Sequence, residues 1–148
     1  MKPAHILFLM LLLAAAIPAA AQKGLAVGAL FDGRYRDIPD ARETIISGGQ
    51  LKKHKLSTYR SITLTDADNE SADAIERAVR RDGADALSRE VQFRDGRLFY
   101  GFYRLRRHND LNRYIFFLNQ LAAGGNKVIL IYLEGSASPE QVKKMLKQ

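Results

Sequence analysis

The chain has no cysteine and no tryptophan among its 148 residues, and only four prolines. Without cysteine there is no disulfide framework, thiolate zinc site, iron–sulfur cluster, cysteine nucleophile or diacylglycerol-type lipid anchor. Phosphate-cradling glycine motifs are missing too. The pairs Gly48-Gly49 and Gly124-Gly125 lack a G-x-G-x-x-G or G-x-x-x-x-G-K-[ST] context and read as turns. No G-x-S-x-G surrounds Gly135-Ser136, so that serine is not on a nucleophile elbow. Long apolar runs are scarce: one stands at the N-terminus and no second follows. What is present argues against a disordered chain, because 26% charged residues accompany seven Phe and six Tyr. The length suits one domain and is short for two.

The single apolar run reads as an export leader. Lys2 supplies a positive start, Ile6 to Ile17 an uncharged core, and Ala19-Ala20-Ala21 the small residues a signal peptidase reads. Cleavage is expected before Gln22, giving a 1–21 signal peptide and a single domain over 22–148. A spanning helix needs about 20 apolar residues; this run is shorter and is interrupted by Pro18. The mature chain is therefore expected to have no transmembrane span, and to be periplasmic or extracellular. A domain of this size buries roughly two-thirds of its unfolded surface, so it needs no staples to fold.

Periodicity supplies the elements. Gly24 to Phe31 is short and apolar, and is either a strand or one helical turn. Ala41 to Ser47 reads as a short strand, stopped by Gly48-Gly49. Lys55 to Thr65 alternates with period two, as a sheet with one wet face requires. Asn69 to Leu87 places Ala72, Ile75, Ala78, Val79 and Ala86 on one helical stripe, with Asp68 or Asn69 as cap and Gly83 as a weak point. Val91 to Arg94 and Arg97 to Arg106 flank Asp95-Gly96, the strongest short-range hairpin signal. Arg113 to Gln120 and Lys127 to Glu134 are two more strands, and the continuous apolar run Val128 to Leu133 predicts a central strand covered on both faces. Ser138, Pro139 and Gln141 spell a capping box that opens a last helix. The elements do not alternate regularly. The expected class is α+β: a mainly antiparallel sheet of five to six strands, with two or three helices packed on one face. Nine of the twelve aromatics after residue 21 fall between Phe93 and Tyr132, which marks that sheet as the core.

Few residues assemble into a chemical signature. Asp66-Ala-Asp68-Asn69-Glu70 starts like a calcium loop, yet Ser71 and Arg77 stand where glycine and a bidentate glutamate are needed. His54 and His108 have no partner at ligand or triad spacing. Glu43 and Glu134 adjoin apolar strands and would serve acid–base work only if the fold brought them together. No catalytic residue, metal ligand or cofactor is therefore expected. A hydrolase built on these carboxylates or on His54 and His108 is the least favoured reading.

Positive charge is patchy. Arg42, Lys52, Lys53, Lys55 and Arg60 form one cluster against Glu43. Arg97, Arg104, Arg106, Arg107 and Arg113 form a second, interleaved with Phe99, Tyr100, Phe102 and Tyr103. Basic residues beside exposed rings suit polyanions. Export argues against nucleic acid as the natural ligand. An anionic glycan, lipopolysaccharide or an acidic protein surface satisfies the same electrostatics. The alternative is a solvated sheet face whose rings are simply core.

The leader ending Ala19-Ala20-Ala21-Gln22, the segment Leu51 to Ile62, Tyr100-Gly-Phe-Tyr103, Arg113 to Phe117 and Leu130 to Glu140 together resemble small exported domains of unknown function of the sort common in gut Bacteroidetes. The resemblance implies an exported single domain with no assigned activity, and it carries no functional residue over. The expected function is non-catalytic binding in the cell envelope, with polyanion binding through the five arginines as the sharper alternative.

Overall fold

The structure is a computed structural model that describes residues 24–147; the expected leader lies outside the described residues. Six strands form one sheet: β1 (Arg42–Ser47), β2 (Leu56–Thr65), β3 (Ser88–Arg94), β4 (Arg97–His108), β5 (Leu111–Asn119) and β6 (Lys127–Gly135). Their order is β1-β2-β6-β5-β4-β3, and every neighbouring pair is antiparallel. Asp95 and Gly96 join β3 to β4 with φ of 51° and 77°, the mirror-turn geometry that matches strand twist. Asn109 and Asp110 repeat it between β4 and β5 at 51° and 61°; both are residue types that tolerate the left-handed region.

Three helices accompany the sheet. α1 is a single turn (Gly49–Lys52), α2 spans Asn69–Gly83, and α3 spans Pro139–Leu146. Asp68 caps α2 by accepting from the Ser71 amide, and α2 stops at Gly83, four residues before the expected limit of Leu87. α3 begins with the full capping box: the Ser138 hydroxyl accepts from the Gln141 amide, and the Gln141 side chain accepts from the Ser138 amide. Gly24 to Phe31 resolves into a 3-10 turn over Val27–Leu30 rather than a strand. The turn α1 has no counterpart in the sequence reading, because its only buried residue is Leu51.

The α+β class and the antiparallel sheet agree with expectation, but the helices do not share one face. One sheet face carries Ile62, Leu64, Leu105, Ile115, Phe117, Val128 and Leu130, covered by Ala72, Ile75 and Val79 of α2 and by Val27, Leu30 and Phe31. The other carries Phe102, Tyr114, Ile131 and Leu133, covered by Val142, Met145 and Leu146 of α3 and by Leu51 of α1. The reason is the apolar run in β6. Val128 and Leu130 face one way while Ile131 and Leu133 are buried on the opposite side, so both faces need a cover.

Candidate functional site

Charge is nearly absent from both cores, with one exception. Among the described residues, the charged side chains buried below a tenth exposure are Asp82, Arg113 and Glu134. All three gather at one end of the face that α2 covers. β5 and β6 set Arg113 directly across from Glu134. Tyr132, two residues before Glu134 on the same side of β6, donates its hydroxyl to Glu134 Oε2 at 2.6 Å. Burial first, and then the Glu134 carboxylate, push the Tyr132 phenol far above its ordinary range.

Asp82 comes from the last turn of α2. Its two carboxylate oxygens accept the amides of Ala26 and Val27 at 2.7 and 2.8 Å, clamping the N-terminal segment onto the helix. Burial raises the Asp82 pKa, while those two amides and the Arg81 and Arg113 guanidinium groups oppose the rise. Arg113 donates through Nε to the Arg106 carbonyl at 2.9 Å, and its Nη1 is buried with no hydrogen-bond partner. A buried donor without a partner costs about 1–3 kcal/mol.

A cleft of about 330 Å³ opens beside this network, lined by Gly24, Leu25, Arg81, Asp82, Asp85, Leu105, Arg106 and Arg113 among others. Arg106 lies at its exposed rim, 3.6 Å from the Asp85 carboxylate. Three arginines therefore line it, while Asp82 is already engaged by backbone amides. Planar forks of this kind match carboxylate and phosphate oxygens two at a time.

The five arginines of the aromatic-rich cluster thus divide. Arg106 and Arg113 meet in the cleft. Arg97 starts β4 at its far end and pairs with Asp73 of α2 at 3.2 Å. Arg104 lies on the opposite face, across from Tyr114. Arg107 donates to the Asp110 carbonyl at 2.6 Å and closes the β4–β5 turn. In the other basic cluster, Arg60 stacks over the Phe31 ring at 4.5 Å and pairs with Asp32 at 2.8 Å. Lys52, Lys53 and Lys55 sit on and after α1, and Arg42 begins β1; none of these lines the cleft.

The other candidates find structural roles or separate places. Asp68 is a helix cap, and Asp66 accepts from Asn126 at 2.9 Å. Glu43 accepts the amides of Asp32 and Gly33 at 2.7 and 2.8 Å. Glu43 pairs with Ile62 and Glu134 with Thr58 on opposite sides of β2. That is two strand spacings and four residues, about 16 Å, too far to share a substrate atom. His54 follows α1, and His108 ends β4. No group of three or more His, Cys, Asp or Glu able to hold a metal occurs among the described residues.

The sequence reading did not single out Arg81, Asp82 or Tyr132. Asp82 sits in a run of charged helix residues and looks solvated there. The available signal was its place one residue before Gly83, where the helix ends against the sheet.

No protein of curated function and no solved structure matches the chain. Among the described residues, no helix is long and apolar enough to cross a membrane. Residues 14–146 do match one family as a whole, and the chain belongs to DUF6108, a family of unknown function.

Proposed function

We propose that the chain is an exported, non-catalytic binding domain of the cell envelope, and that its cleft takes the anionic groups of an envelope glycan. The observation that carries this reading is the convergence of Arg81, Arg106 and Arg113 on one cleft, with the Arg106 side chain exposed at its rim. A carboxylate or phosphate on a sugar pairs with the exposed Arg106 fork at the rim, with the other two arginines adding to the local positive field. The charge of +7 on the whole chain, less Lys2 of the leader, adds a long-range pull on any polyanion. Export rests on the Lys2, Ile6–Ile17 and Ala19–Ala21 pattern.

The test is retention on immobilised polyuronate across a salt gradient. The wild type should elute late, Arg106→Glu early, and Arg97→Glu, far from the cleft, close to the wild type. Equal retention of Arg106→Glu and wild type would remove the cleft from the binding reading. If an acidic polypeptide competes better than polyuronate, the ligand is a protein surface instead. N-terminal sequencing of chain recovered outside the cytoplasm should begin at Gln22, and a chain retained inside the cell with Met1 in place would refute export.

A further inference from the structure

β3 is an edge strand, and all seven of its residues are exposed. Val91 and Phe93 are 37% and 50% exposed. Both belong to the face that α2 covers, and they line a cleft of about 310 Å³ with Arg80, Arg89 and Tyr103. The irregularity in the β3–β4 ladder lies in β4: Gln92 faces Tyr100 and Phe93 faces Leu98, leaving Phe99 as the extra residue. The outer edge of β3 is therefore an unbroken row of backbone donors and acceptors. Natural sheets usually blunt such an edge with charge, and β3 carries Arg89, Glu90 and Arg94.

Those charges do not repel a second copy; they match it. A two-fold axis that joins two β3 edges antiparallel must stand perpendicular to the sheet, which keeps like faces together. The paired residue numbers then have the same parity. Centred on Gln92, the pairing sets Glu90 opposite Arg94 of the other copy and Val91 opposite its Phe93. It also brings Arg89 alongside the other copy's Asp95, and the two-fold repeats every pair. Shifting the centre to Val91 loses every ion pair. Shifting it to Phe93 sets Val91 against a carboxylate. Cross-strand pairs of opposite charge, and aromatic with β-branched pairs, each stabilise a ladder.

We propose that two copies of this chain join through β3, centred on Gln92, to form a continuous twelve-stranded sheet. Glu90 already pairs with Lys143 of α3, and a carboxylate has acceptor sites for a second donor. Arg94 lies over the Phe99 ring of β4 at 4.2 Å, a contact it exchanges for Glu90 of the other copy when it turns outward. Phe93 of one copy would extend the apolar wall beside Val91 of the other. A seven-residue ladder is a small interface, so the dimer should be weak, concentration-dependent and sensitive to salt.

Sedimentation velocity of the purified protein across a concentration series tests this. The wild type should shift from monomer to dimer as concentration rises. Glu90→Arg and Arg94→Glu should each weaken dimerisation by about tenfold or more, because each sets like charges opposite one another. Mixing the two variants should restore a heterodimer, since positions 90 and 94 are then both basic on one edge and both acidic on the other. Amide exchange on the wild type gives a second readout: β3 amides should gain protection with concentration while those of β1 do not. A wild type that stays monomeric throughout would overturn the proposal. So would single variants that dimerise like the wild type, or a mixture that fails to associate.

Discussion

Gly83, the last residue of α2, should be intolerant of alanine even though alanine is the better helix former. Its backbone does not need glycine, because its φ is not in the positive region. On propensity alone Gly83→Ala would gain up to ~1 kcal/mol. A Cβ built there would stand 2.4 Å from Cε1 and 2.6 Å from Cδ1 of Tyr103. The ring cannot retreat, because its other edge rests on Gly101, where a Cβ would lie 2.6 Å from Cε2. Overpacking of this kind costs about 1–3 kcal/mol, and blockage on both sides puts the cost at the top of that range. The net expectation is a loss of about 2 kcal/mol, or a fall of roughly 8 °C in Tm. Urea denaturation followed by circular dichroism measures it. Tyr103→Val removes the ring while keeping a side chain suited to β4. In that background Gly83→Ala should be neutral or stabilising, so the double-mutant cycle should return a coupling of ~2–3 kcal/mol. A Gly83→Ala protein as stable as the wild type, or an equal loss in both backgrounds, would refute the packing argument.

Tyr132→Phe should cost ~1–3 kcal/mol in urea denaturation, because it strips a buried donor from Glu134; no loss would mean that water replaces the hydroxyl. Asp82 predicts a pH signature. Burial holds its folded pKa above the unfolded value, so the fold binds that proton more tightly than the unfolded chain does. The contribution is fully present below the unfolded value and is lost as pH rises through the folded one. Asp82→Asn should flatten that stretch of the stability–pH curve, and an unchanged slope would contradict the assignment. Ser138→Ala should lower stability by ~1 kcal/mol by releasing the Gln141 amide from the α3 cap; thermal melts on the pair of proteins decide it.

The sheet was legible where one short-range rule governed. Asp95-Gly96 marked its hairpin because few residue pairs adopt two positive φ values in succession. Ser138 to Gln141 marked α3 because the cap is written within four residues. The run Val128 to Leu133 gave a strand buried on both sides, and β6 lies in the interior of the sheet. The assignment of α3 and α2 to opposite faces was not legible, since each helix shows only one apolar stripe and no stripe names its partner face. The cleft was less legible still. Arg106 and Arg113 stood in the basic cluster, but Asp82, which lines the same cleft, is separated from Arg113 by all of β3 and β4. Charge density along the chain grouped Arg97 and Arg104 with them, yet a strand spreads such residues over two faces and some thirty ångströms of length.

Among the described residues, β6 lies between β2 and β5 and is the strand that joins the β1–β2 hairpin to the β5–β4–β3 meander. It is also the last of the described strands in sequence. A polypeptide emerging N-terminus first therefore cannot join its two half-sheets until β6 has emerged.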